Sequence, residues 1–283
     1  MTTATTATMT STSTAITPRA ARLSARPARF ANTLAAEWSK LTALRSTYLI
    51  LGLGLVLSIG TSALVTLALG STQESWAADF SPITTSMVGN IWALIVYSVF
   101  GVLVMSREYS GGLIRLTLSA TPRRGRVLAA KLILVAGITF VFGLLTTVGM
   151  FLVGQAVLGA YGMPTTDLGD ADAQRMVLGL GAVMPFFPLV GFALAVIFRS
   201  TAGAITAVLG FLWLPVIFGE LLPRWWQEHV LSLLPGAAMD SLTVAHIEPS
   251  PTFSDPLVGA VIASAWLVGI VGAAYLTLVR RDA

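Results

Sequence analysis

The chain has 283 residues, of which 55% are hydrophobic and only 11% charged, with a mean hydropathy of +0.82 and a formal net charge of +4. Soluble domains carry about 25% charged residues, so this balance excludes a water-soluble globular protein and defines an all-α integral membrane protein. Apolar stretches claim about half the length, leaving no room for a separate enzyme domain. The absence of cysteine excludes disulfides and thiolate zinc sites.

In chain order, residues 1–28 are rich in Thr, Ser, Ala, Arg and Pro and lack the apolar core of a secretory signal, so they read as a disordered cytoplasmic tail. Residues 29–47 read as an amphipathic interface helix in which Phe30, Leu34, Trp38 and Leu41 share one face, with Asn32, Thr33, Glu37 and Lys40 away from it. Such a helix lies in the membrane interface, with Trp38 at headgroup depth and Lys40 and Arg45 near anionic lipid. Residues 48–283 read as a six-span transmembrane domain, with spans near 48–69, 83–105, 132–158, 176–198, 202–222 and 257–279.

The span interiors carry no evident ionisable group. Their notable polar residues are Asn90 and Gln155; an asparagine in a span is more often a helix-to-helix hydrogen bond than a substrate ligand. Glycines recur in the first, third and fourth spans, and Pro185, Pro188 and Pro215 interrupt the fourth and fifth. Close packing with local kinks accounts for both; the alternative makes "MPFFPLVG" a hinge or a substrate-lining surface.

Between the second and third spans stands "MSREYSGGLIRLTLSATPRRGR". Thr121 as N-cap and Pro122 at the first helical position start the third span as a helix before it enters the membrane. That leaves residues 107–120 as a separate element, read as a short helix because a lone strand beside a membrane would leave its backbone unpaired. Gly111 and Gly112 allow a tight turn or the close approach of a partner. Glu108 is the only acid among these arginines and pairs with Arg107, Arg115 or another basic group; as a surface salt bridge it would contribute less than about 1 kcal/mol. The connection between the fifth and sixth spans places Trp225 and Trp226 at a headgroup interface and reads as a re-entrant or interfacial helix pair, either covering the bundle or forming a lid.

Charge sets the orientation. Fifteen of the seventeen Lys and Arg residues fall before the first span, between the second and third, between the fourth and fifth, or at the chain end; only Arg175 and Arg224 fall on the other side. Because translocating Lys and Arg is unfavourable, both termini and the Glu108 loop are expected in the cytoplasm. The same distribution explains the basic pI without nucleic acid.

No G-x-x-x-x-G-K-[ST] loop occurs, and neither lysine, Lys40 nor Lys131, sits in such a frame. His229 and His246 lack ligand-like spacing, so no metal site is expected.

Taken as an ordered set, "EWSKLTALRS", a first span, "REYSGGLIRLTLSATPRRGRVLAAK" and "WWQEHVLSLLPG" resemble the permease subunits of bacterial type 2 ATP-binding-cassette (ABC) exporters. The resemblance spans residues 30–281. It implies a coupling segment at Arg107, Glu108, Tyr109, Gly111, Gly112 and Arg115, with Glu37, Trp38 and Lys40 in the interface helix. It further implies docking onto a separate ABC ATP-binding subunit, pairing with a second permease subunit (homo- or heterodimer), and export across the bacterial cytoplasmic membrane. No cofactor is expected on this chain, and ATP and Mg on the partner. Where the family has Gly-Thr after the acidic residue, this chain has Gly111-Gly112. The rival readings are an ion-coupled secondary transporter or channel, and a membrane anchor or assembly protein that recruits a partner without transport.

Overall fold

The computed structural model describes residues 29–72, 80–110, 124–219, 221–243, 252 and 255–281, and among them every regular element is helical. The helices are α1 (Phe30–Thr42), α2 (Arg45–Thr72), α3 (Pro82–Ser86), α4 (Asn90–Ser110), α5 (Arg124–Ala160), α6 (Ala171–Val183), α7 (Phe186–Phe198), α8 (Thr201–Gly219), α9 (Arg224–His229), α10 (Pro235–Thr243) and α11 (Pro256–Arg281). Six stretches are long and apolar enough to cross a membrane: α2, α4, α5, α6 with α7, α8 and α11.

One span follows expectation and one departs from it. The third, expected near 132–158 on a helix that begins ahead of the membrane, belongs to a helix described over Arg124–Ala160, 37 residues, about 55 Å at 1.5 Å per residue. This exceeds the roughly 30 Å hydrocarbon thickness, so α5 projects beyond any membrane it crosses. The expected fourth span, 176–198, is instead two helices beginning at Ala171 and meeting at Met184–Pro185. Asp170 starts α6 early, its Oδ1 accepting from the Asp172 and Ala173 amides. Pro185 has no N–H to continue the ladder, and the chain restarts as α7. The proposed Thr121 cap and Pro122 start lie outside the described residues.

The segment "MPFFPLVG" lies in the packed centre. Most of α7 is buried, including Phe187, Val190, Phe192 and Val196, and it packs most closely on α4. Small residues permit that contact: a Cβ on Gly101 would collide with the Pro188 carbonyl, and one on Gly191 would meet Ser98 O at 2.7 Å. Between helices in lipid, where the hydrophobic effect gives little net drive, such close backbone approach supplies the association energy. By contrast, only 17% of the apolar windows of α8 and α11 is buried, against 67% for α6 with α7. Those two helices are the periphery.

Among the described residues the start of α2, the end of α4, the start of α5 and the end of α7 come together and bring Arg107, Lys131 and Arg199 to one end. Arg107 Nη2 donates to Ser46 Oγ at 2.9 Å, joining the end of α4 to the start of α2. The Arg199 guanidinium stands 5.7 Å from the centre of the Tyr109 ring. At the opposite end α10 covers the bundle, with Gly259 of α11 against Ala238 O and Gly179 of α6 against Thr243.

Candidate functional site: a four-charge joint at the basic end

Helix α1 has two usable faces. Phe30 and Trp38 are exposed, while Thr33, Glu37 and Leu41 are buried against the bundle and Leu34 packs at the edge of the core. The spacing of Thr33, Glu37 and Leu41 by four residues puts them in one row. The row brings Glu37, an acid on a short helix, against the ends of α4 and α5.

There it meets an ion-pair network. Lys131 Nζ lies 2.6 Å from Glu37 Oε2 and 2.8 Å from Glu108 Oε1. Lys40 Nζ lies 2.7 Å from Glu37 Oε1 and 3.5 Å from Glu108 Oε1. The side chains of Lys131, Glu37 and Glu108 are only 5%, 4% and 9% exposed, whereas that of Lys40 is 47% exposed. Among the described residues two carboxylates face two ammonium groups, so these charges offset one another, as burial favours. A lysine suits the centre because its compact ammonium has three donors and can serve two carboxylates.

Glu108 is therefore no surface salt bridge. Removing one partner from a buried pair strands a charge, at about 3–5 kcal/mol, instead of under about 1 kcal/mol for an exposed pair. Burial lowers the pKa of Lys40, but the hydrogen bond to Glu37 and the charges of Glu108 and Glu37 outweigh it and hold the ammonium above the ordinary lysine value.

Three elements so far apart in sequence converge here for local reasons. Lys131 sits on the stretch of α5 that precedes the uninterrupted apolar run, Glu108 sits two residues before the end of α4, and α1 crosses both. Neither acid nor lysine is at mid-span. Adjacent groups extend the joint: Arg107 to α2, and Tyr109 to Arg199, which takes a left-handed φ of 52° as the C-cap of α7. That conformation is uncommon outside glycine and asparagine, and it turns the chain into α8.

The other singled-out residues lie elsewhere. Gln155 Nε2 donates to Pro82 O and Ser86 Oγ, each at 3.0 Å, and Gln155 Oε1 accepts from the Thr166 amide at 2.8 Å. Ser62 Oγ adds a bond to Ser86 O at 2.5 Å. This amide is a staple fixing α3 at the far end of the bundle. Asn90 begins α4, with a buried Oδ1 that lacks a hydrogen-bond partner among the described residues. Trp225 and Trp226 are exposed on α9, edge to face at 5.9 Å, with His229 stacked on Trp225. Gly111, Gly112 and Arg115 lie outside the described residues. No group of three His, Asp or Glu side chains placed to hold a metal occurs among the described residues.

Lys131 and Arg199 were missed as site residues. A signal existed for Lys131: it is one of only two lysines in an arginine-rich chain, and both are in the joint.

An all-helical protein with six membrane-length helices, a broken central span and charged groups gathered at one end is a multi-pass membrane protein of the transporter kind. Residues 33–215 match the sequence profile of the ABC-2 family transporter proteins, and the chain belongs to that family. The match runs from α1 into the second half of α8, so it includes all four members of the joint. Membership makes it an ABC permease subunit, a membrane component that works with an ABC ATP-binding subunit and is generally not itself catalytic. No curated protein matches the chain.

Proposed function

We propose that this chain is the permease of an exporter in the bacterial cytoplasmic membrane, with its basic end, both termini and the joint facing the cytoplasm. Segment 107–120, including Arg107, Glu108, Tyr109, Gly111, Gly112 and Arg115, docks on the ATP-binding subunit as the coupling segment. ATP and Mg are held by that subunit, and a second permease copy or a homologue completes the pathway. Helix α1 rests its Phe30 and Trp38 face in the inner membrane interface.

The observation that carries this reading is the joint itself. Glu108 stands at the start of the coupling segment, Lys131 follows eleven residues after its end on α5, and Lys131 links Glu108 to Glu37 of α1. A push on the segment therefore reaches α1, α4 and α5 together, and a two-state rocking of the spans follows from moving these helices as a set. The fifteen-to-two division of basic residues supports the orientation. Substrate and partner chemistry are separate questions from this coupling.

The test is reconstitution with the cognate ATP-binding subunit. Glu108→Gln should preserve the permease in the membrane while weakening partner docking and the stimulation of ATP hydrolysis by substrate. Unchanged docking and stimulation in Glu108→Gln and Glu37→Gln would remove the joint from the coupling path. Substrate movement driven by an ion gradient without the ATP-binding subunit would favour the secondary-transporter reading.

A further inference from the structure

At the end of the bundle opposite the lysines, a cleft of about 460 Å³ opens between the C-terminal half of α8 and the α9–α10 pair. Its walls are mixed, with Phe211, Pro215, Val216, Leu231 and Leu234 beside the polar Gln227 and Thr252. Among the described residues a single carboxylate, that of Asp240, lines it. Among the described residues the Asp240 main-chain carbonyl accepts from Thr243 Oγ1, but the carboxylate has no ion pair or hydrogen bond. The residue is exposed, its side chain lining the cleft, and the protein packed along one side of it withdraws water and raises its carboxyl above the ordinary aspartate value.

The volume falls within the range of small-molecule sites, and a few polar groups in an apolar pocket are what fix a ligand's orientation. An uncompensated carboxylate in such walls is most satisfied by a positive charge, which restores what desolvation takes away. The Phe211 ring offers a further face to a cation. A neutral apolar ligand would fill the cleft but leave the carboxylate unpaired, and an anion would be repelled. We propose that this cleft binds a hydrophobic organic monocation, with Asp240 as its counter-ion. The proposal goes beyond the permease reading and does not rest on it, because binding is measured without the ATP-binding subunit.

The experiment uses the full chain in nanodiscs of phosphatidylcholine, a lipid with no net charge to concentrate cations. Rhodamine 6G, a fixed hydrophobic cation, is titrated by fluorescence anisotropy, and Nile red serves as the neutral comparator. Wild type should bind the cation at least tenfold more tightly than the Asp240→Asn and Asp240→Ser variants, with Nile red binding retained in all three. Val216→Trp, which fills the cleft, should weaken both probes, and Asp255→Asn, outside the lining, should change neither. Equal affinity of wild type and Asp240→Asn for the cation, failure of wild type to bind it, or an equal loss in Asp255→Asn would overturn the proposal. So would loss of both probes in both Asp240 variants, since Asp240 would then hold the cleft together without meeting a ligand's charge.

Discussion

Two short helices, α1 and α3, are tied to the same bundle by opposite chemistries. Glu37 fixes α1 through two lysines and a second carboxylate, and all but Lys40 are buried. Helix α3 is held by neutral groups, with Gln155 and Ser62 bonded to Pro82 and Ser86. A neutral hydrogen bond contributes about 0.5–1.5 kcal/mol net and needs no balancing partner. A buried charge is stable only while its whole set is in place. The α3 attachment is thus suited to staying shut, whereas the α1 attachment responds sharply to any displacement of one member.

Lys131→Met should have the largest effect, because it removes the buried counter-ion shared by Glu37 and Glu108 and leaves only the half-exposed Lys40 between them. The expected loss is about 3–5 kcal/mol, read as a lowered thermal unfolding temperature of the purified protein in detergent. Adding Glu37→Gln and Glu108→Gln to that variant should recover part of the loss, as non-additivity within one network requires; simple addition of the three effects would mean that the charges do not act together. Gln155→Leu comes next, at about 1–3 kcal/mol, because the Thr166 amide loses its acceptor while Ser86 Oγ still donates to Pro82 O. Its effect should stay at the α3 end: proteolytic nicking near α3 should rise while docking of the ATP-binding subunit is unchanged.

Lys40→Ala should be the mildest of the three single substitutions. Its ammonium is half exposed, so a loss under about 1 kcal/mol that shrinks in high salt is expected. The pH dependence of this lysine has a definite sign. A folded-state pKa raised above the unfolded value gives stability that is complete below the ordinary lysine pKa and is lost as pH climbs through the raised one. The Lys40 contribution should therefore be flat between about pH 6 and 9. A difference in unfolding temperature between wild type and Lys40→Ala that varied across that interval would contradict the assignment.

The six membrane-length helices were legible because each rests on a run of about twenty apolar residues, a signal that accumulates locally. The Met184–Pro185 break was legible only as a proline; whether a proline bends a helix or ends it depends on the neighbours, here α4 against Gly191. The amphipathic pattern of α1 pointed to Phe30 and Trp38, while Glu37 read as merely polar. Of the buried three only Glu108 stood out, as the one acid in its loop; its meeting with Glu37 and Lys131 depends on how three helices cross. A lone acid beside several arginines looks the same whether it ends in water or against a lysine from another helix. Asp240 gave no signal at all, since an aspartate between spans is ordinary until its surroundings are apolar.

Helix α5 carries Lys131 near one end and Gln155 near the other, in a single unbroken run. Their separation of 24 residues corresponds to about 36 Å. Such a helix behaves as a beam: pivoted near the Lys131 end, a tilt of about 5° sweeps Gln155 through about 3 Å. That sweep equals the length of the hydrogen bonds Gln155 makes, so a modest rotation at the charged end is enough to pull the α3 staple apart or drag α3 along with it.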